Sequence, residues 1–396
     1  MSTTSRLHLV GLLPVILVMA LLAAACGDDA ATTTTGAVTT TQGATTTQGA
    51  TTTQATTTTA AAEPFRVALF LAGTTDDLQF ANGSADGAKA AVAANPNIQV
   101  EYVELINDPD QMLAQGSAFA SEGYDLIAIA HGGMVDPAIQ LAQQFPEVQV
   151  CLWPHQPAAD GAAPPDNLCW VDVEQQDANF LAGALAALVS QTGHIGAINA
   201  YAFPALTRQA EAFNLGARCV NPDIQFSQQY INTWTDTGLA KAAAQALAAG
   251  GADVLLGATD SAVFGMIDAA QESETPLWIV PSYYDQQSLA PEVILTSAVH
   301  GLPLLAQTII ERAFAGDIGP GEFIDFNATN NPGIEAPLYD NIRAMLTAEQ
   351  LAVFEDIVAK VRSGEIVIPD ETTGDYPIGA EGSGATVPLD AIGCGA

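Results

Sequence analysis

From residue 64 onward, short runs rich in Val, Ile and Leu alternate with Ala-rich segments of helical length. Continuous apolar runs of this kind belong to strands covered on both faces, so the pattern predicts parallel sheet with crossover helices. Strands are expected over 65–72, 98–106, 124–130, 148–153, 168–173, 194–200, 224–231, 252–258, 277–282 and 293–299. Helices are expected near 80–94, 110–121, 136–144, 175–190, 206–219, 239–249, 262–272 and 303–315. The punctuation agrees: Asp108-Pro109 with Gln111 reads as a capped helix start, and Gly123, Gly193 and Gly250-Gly251 read as helix ends. So many strands exceed one comfortable doubly wound sheet, which predicts two α/β lobes, the second beginning near residue 179. Facing lobes turn the carboxyl ends of their strands toward a shared cleft, and ligands of open α/β sheets bind there.

Composition narrows the partners. The chain carries 10 Lys+Arg against 44 Asp+Glu, a formal charge of −34. Phosphate backbones and anionic lipid headgroups need a basic face that so few cations cannot supply, so nucleic acid is not an expected partner. The amino-terminal end reads differently from the rest. Residues 7–25 are uncharged and apolar, follow Arg6 and end in small residues before Cys26, which is the layout of an export signal. The stretch resembles a bacterial lipoprotein signal, which implies removal of residues 1–25, a diacylglyceryl group on Cys26 and tethering to the outer face of the cell membrane. Ala23 stands where that signal prefers Leu, which sits one position earlier at Leu22. From residue 26 to 63 the chain is mostly Thr, Ala, Gly and Gln with a repeated GATTTQ, a flexible linker with an r.m.s. reach of about 35 Å.

Export permits disulfides among Cys151, Cys169, Cys219 and Cys394. Cys151 and Cys169 lie in successive apolar runs, so a bridge between neighbouring strands is one reading and buried free thiols are the other. Four cysteines allow three pairings, and spacing does not choose among them.

Catalytic footholds are missing. The chain contains no G-x-S-x-G elbow, Walker A loop, G-x-G-x-x-G fingerprint or H-E-x-x-H helix, so neither an enzyme nor a cofactor is expected. An exported nucleoside hydrolase, with Asp76 or Asp260 activating water, is the catalytic alternative. His131, His155 and His300 each follow a predicted strand and with Asp285 would offer an N/O metal set, although no pair shares a ligand spacing. The aromatics are more informative. Phe80, Trp153, Trp234, Tyr283 and Tyr284 fall at strand ends, where they either pack the lobe edges or stack a flat ligand. Asp76, Asp77, Asn199, Asn232, Asp236, Asp260 and Asp285 lie in the same loops, as ligand readers or as helix caps.

Several segments together resemble the Bmp (basic membrane protein) substrate-binding lipoproteins of ABC transporters. They include DDLQFANGSADGAKAA (76–91), FLAGALAALVSQTGHIGAI (180–198), NTWTDTGLAKAAAQAL (232–247), GGADVLLGATDS (250–261) and VILTSAVHG (293–301). The resemblance implies a type I periplasmic-binding-protein fold, two doubly wound lobes joined by a hinge crossed three times. Lobe 1 would comprise 64–178 with 296–325 and lobe 2 would comprise 179–295 with 326–396. It implies a heteroaromatic cargo, a purine base or nucleoside, held between the lobes and delivered to a permease with a cytoplasmic ATPase; a ligand sensor, or a sugar or metal cargo, is the alternative. Trp234 matches the family's second-lobe stacking ring, and Asp76 or Asp77 its first-loop acid. Other positions depart: Ala81, Ala85 and Pro154 stand where the family has Asn, a stacking ring and Asp. Tyr283 falls near the ribose-binding Asp, with Asp285 two residues on, and His300 replaces a Lys. With the ribose clamp mostly absent, a free base or another flat heterocycle gains over a nucleoside. The expected ligand-binding set is therefore Asp76, Asp77, Phe80, His131, Trp153, Asn232, Trp234, Asp260, Tyr283, Asp285 and His300.

Overall fold

The computed structural model describes residues 63–155, 163–202, 204–370 and 375–394. The expected signal, Cys26 and the linker up to residue 62 lie outside the described residues.

The first sheet is built from β1 (Phe65–Leu71), β2 (Ile98–Val103), β3 (Leu126–Ala130), β4 (Gln149–Trp153), β5 (Leu168–Val173) and, much later, β11 (Phe323–Phe326), in the order β11-β5-β4-β3-β1-β2. Helices α1 (Phe80–Ala94), α2 (Pro109–Ser121) and α3 (Val135–Gln144) connect the first strands. The second sheet uses β6 (His194–Asn199), β7 (Gln225–Tyr230), β8 (Val254–Ala258), β9 (Trp278–Tyr283), β10 (Ala298–His300) and β12 (Ile334–Glu335), in the order β12-β10-β9-β8-β6-β7. Its helices are α4 (Gln175–Val189), α5 (Pro204–Val220), α6 (Thr237–Ala249) and α7 (Val263–Gln271). Every pairing is parallel except β12 against β10. Helix α8 (Leu302–Ala315) packs on α1, and, after the single turn α9 (Asp340–Arg343), α10 (Ala348–Ser363) packs on α4. The chain passes between the sheets three times: from β5 to α4, from β10 to α8, and from β11 to β12.

Local chemistry explains much of this. Asp108 caps α2 by accepting from the Gln111 N–H, with Pro109 at the first helical position. Helices α4 and α5 press together because Gly183 and Gly216 let the backbones meet; a Cβ on either would strike the Phe213 or Phe180 carbonyl. Cys151 and Cys169 pair on neighbouring β4 and β5, and Cys219 pairs with Cys394.

Three expectations need correction. The apolar run 293–299 forms a strand only at Ala298–His300; ahead of it the Val293 carbonyl and the Leu295 N–H bond to Ile279, and the Thr296 and Ser297 hydroxyls meet the Pro337 carbonyl and the Tyr339 hydroxyl. Before that, only an isolated bridge joins Ile279 to Ile294. The β2 run stops at Val103, where the chain turns through Leu105 at φ 60°. Since β10 stays in the second sheet, the return to the first begins with α8 and not at residue 296. Strands β11 and β12 and helix α10 were not foreseen. The strands have only four and two residues, too few for a period to show, whereas α10 carries a legible capping box, Thr347 with Gln350.

Candidate functional site

Strand order reverses between β1 and β3 in the first sheet and between β6 and β8 in the second, so the loops after these strands open a crevice at each carboxyl edge. Backbone strain gathers at the same edges. The non-glycine residues with positive φ among the described residues are Leu78 (56°), in the loop between β1 and α1, and Leu105 (60°), Asn232 (54°) and Tyr283 (80°), each at or just beyond the carboxyl end of a strand. Such conformations cost of order 1–3 kcal/mol each and persist where the surroundings over-determine them, as at ligand clamps.

On the first lobe, Asp77 accepts from the backbone N–H groups of Thr74, Gln79 and Asn82 and so shapes the β1–α1 loop. Burial raises its carboxyl despite these bonds. Asp76 is exposed and accepts from the Thr74 hydroxyl. The His131 Nδ1 accepts from the Gly133 N–H, and burial lowers its pKa. Trp153, expected in the cleft, lies in the core at 0% exposure, its indole N–H donating to Ser84 at 3.2 Å. As the last residue of β4 its ring points into the layer beneath α1, and helix packing claims it.

On the second lobe, Trp234 stands 5.3 Å from Tyr201, the two rings tilted at 57°, over Ala200, Leu206 and Ala258. Exposed Asn232 sits in the same loop. Burial pushes Asp260 up to about 7, and the Asp77 charge facing it from the other lobe adds to the rise. The Tyr283 ring is edge-on to Phe80 of the first lobe at 6.0 Å and to His300 at 5.1 Å. Asp285 turns away, accepting from the Tyr339 hydroxyl at 2.6 Å and the Gln287 N–H. The loop closes on itself there, which removes this carboxylate from the cluster.

The fold thus brings Asp77, Phe80, Asp260, Tyr283 and His300 together between the lobes and leaves Trp234 and Asn232 on the second-lobe rim. It separates the suggested metal set: His155 packs against Trp170 at 4.5 Å while His300 is wholly buried beside Tyr283. Two open hollows of about 680 and 910 Å3 lie elsewhere, around Tyr339 and around Asn167.

Several groups at this junction escaped the sequence reading, and Tyr284, expected at a strand end, joins them. Gln286 Nε2 donates to Gln79 Oε1 at 3.3 Å, and the Tyr284 hydroxyl to Asp86 at 2.9 Å, both from one lobe to the other. Arg208 of α5 pairs with Asp172 at the end of β5 at 3.0 Å, each side chain 1% exposed. Glu174, Asp177 and Asp325 crowd the same hinge. Burial raises all three carboxyls, with Arg208 opposing, and Asp177 reaches about 7. The signal was present in α4 as a polar start, QQDAN, to an otherwise apolar helix, whereas TRQ in α5 stands among other polar residues.

A stability dependence follows. Unfolded Asp177 releases its proton near 3.8 and folded Asp177 keeps it to about 7, so the stability this group contributes is full below 3.8 and lost as pH rises through about 7. Asp177→Asn keeps an acceptor for the Ala328 N–H and is expected to flatten the fall in thermal midpoint between pH 4 and 7. A variant profile parallel to the parent's would refute this.

The profile of a family described as ABC transporter substrate-binding protein PnrA-like, Bmp, matches residues 65–372. Basic membrane protein D of Borreliella burgdorferi is 25% identical over 283 residues, 72% of this chain and 82% of that protein. A purine-binding protein of Brucella abortus is 26% identical over 240 residues, 60% of this chain and 66% of that one. Among solved structures, an ABC transporter solute-binding protein from Aeropyrum pernix superposes with a TM-score of 0.68 at 19% identity, covering 77% of this chain and 94% of its own. One from Conexibacter woesei gives 0.60 at 21% identity, covering 77% and 98%. The two-lobed fold is that of the type I periplasmic binding proteins.

Proposed function

Because the chain belongs to the PnrA-like Bmp family of ABC transporter substrate-binding proteins, we propose that it captures a flat heteroaromatic solute of the purine class between its lobes. It would work outside the cytoplasm, held to the membrane through lipidated Cys26, and present its cargo to a permease driven by an ATPase. The observation that carries the reading is the Phe80–Tyr283 contact, an aromatic ring from each lobe meeting at the carboxyl edges of β1 and β9. A planar guest entering as the lobes part replaces this ring-to-ring contact with ring-to-guest contacts on both sides. Ligand touching both lobes then favours closure, and only the closed surface suits the permease. The purine-binding relative in Brucella abortus supports the cargo class. No covalent step is required.

Trp234 with Tyr201 forms the outer aromatic wall in this reading. Trp234→Ala is expected to weaken binding of hypoxanthine at least tenfold, about 1.4 kcal/mol, with the thermal midpoint little changed. Unchanged affinity would remove the indole from the site. The reading as a whole is tested by denaturing the purified protein and taking the mass and ultraviolet spectrum of whatever is released, together with titration by hypoxanthine and inosine. Absence of any purine-like absorbance and of binding to either compound would defeat it.

A further inference from the structure

Behind Tyr283 the two helices nearest the hinge contribute a closed circuit of uncharged polar groups. The Tyr283 ring touches His300, and the Gln209 side chain lies beside its hydroxyl. Gln209 Nε2 donates to Gln175 Oε1 at 2.6 Å and to the Ala205 carbonyl at 3.3 Å. Asn179 Nδ2 donates to the Gln175 carbonyl at 2.8 Å and lies 3.2 Å from His300 Nε2. Gln209, Asn179 and His300 are each 0% exposed. Each has one polar atom without a partner among the described residues: Gln209 Oε1, Asn179 Oδ1 and His300 Nδ1.

The chemistry of those three atoms is settled by their neighbours. A backbone carbonyl can only accept, so the Ala205 and Gln175 carbonyls fix the amide nitrogens of Gln209 and Asn179 and leave the oxygens as acceptors. With Asn179 Nδ2 donating, His300 Nε2 accepts, and the neutral ring carries its proton on Nδ1. Burial, with the Arg208 charge adding, pushes that imidazole down to about 3. The site therefore presents two acceptors and one donor, all uncharged. A buried polar group left unpaired costs about 1–3 kcal/mol, and each of the three calls for a partner.

We propose that Gln209, Asn179 and His300 are the specificity-determining residues of the cleft, selecting a lactam edge, an N–H beside a C=O, over an amidine edge, a bare ring nitrogen beside an amino group. The proposal rests on the purine-class reading and deepens it. A lactam N–H meets Gln209 Oε1 and its carbonyl meets the His300 Nδ1–H; an exocyclic amino group beside the lactam would find Asn179 Oδ1. Adenine sets an acceptor against an acceptor at the first of these places.

Calorimetric titration of the full chain with hypoxanthine and adenine tests this. The parent is expected to bind hypoxanthine at least tenfold more tightly than adenine, and Gln209→Met to narrow the ratio to about threefold or less. His300→Phe, which removes only the donor face, is the second variant should the first fold poorly by thermal midpoint. A merely structural role would weaken both ligands together and leave their ratio intact. Equal parental affinities, or an unchanged ratio in whichever variant folds, overturns the assignment while the purine-class reading stands; binding of neither hypoxanthine, inosine nor adenine overturns both.

Discussion

Arg208→Met is expected to destabilise the protein by about 3–5 kcal/mol at neutral pH, the cost of breaking a buried ion pair by removing one partner. The guanidinium meets Asp172 through both terminal nitrogens, at 3.0 and 3.1 Å, and Nη2 also donates to the Val173 carbonyl. Its charge opposes the upward push of burial on Glu174, Asp177 and Asp325. Without it Asp172, Glu174 and Asp325 share a site largely shielded from water, and Arg362 still opposes the rise at Asp177. Exposed pairs such as Arg343–Glu355 set the contrast, since their loss costs at most about 1 kcal/mol. Urea unfolding of Arg208→Met and Arg343→Met at pH 7 separates the two cases. The double variant Asp172→Leu, Arg208→Met is expected to regain much of the loss, because removing both partners leaves neither Asp172 nor Arg208 as a buried charge. A single-variant cost below about 1 kcal/mol would mean that water reaches the hinge.

The second large effect belongs to the carboxyl-terminal tail. Cys219 at the end of α5 is bonded to Cys394 across a sequence separation of 175 residues. In the chain-entropy account closing a loop of that length is worth about 5 kcal/mol, against about 3 kcal/mol for one like Cys151–Cys169, whose separation is 18. Cys219→Ser with Cys394→Ser is therefore expected to lower stability more than Cys151→Ser with Cys169→Ser. Other contacts hold the tail on α5: Arg218 donates to the Gly384 and Val387 carbonyls, and Glu211 accepts from the Gly382 and Gly384 N–H groups. If these suffice, the variant keeps its tail protected from proteolysis and loses stability only through the unfolded state. A smaller effect than that of the Cys151–Cys169 variant would show that the tail peels away before the rest unfolds.

Much of the architecture was legible because buried parallel strands and crossover helices leave a strong alternation in the chain. The β1 run, FRVALFL, and the Asp108-Pro109 helix start are where the pattern put them. The Cys151–Cys169 reading also rested on two apolar runs being neighbours, and β4 does lie beside β5. Local pattern failed where elements are short or answer to distant partners. Strand β11 has four residues and joins a sheet begun more than two hundred residues earlier, and the run before β10 gives its hydroxyls to residues 337 and 339.

The candidate site divides in the same way. Residues in loops after strands, such as Asp77 and Asp260, were placed at the carboxyl edges by position, because strand ends are visible in sequence. Trp153 was misplaced because nothing local says which face of β4 its ring takes. Arg208, Gln209 and Asn179 were missed because their meaning depends on what α5 and α4 are pressed against. The sequence by itself determined the two-sheet α/β class, the family and the edges where ligand loops must lie, since periodicity and turn chemistry are short-range. Only the tertiary structure decided which side chains meet between the lobes and which polar atoms are left facing one another there, because burial and pairing are properties of residues far apart in the chain.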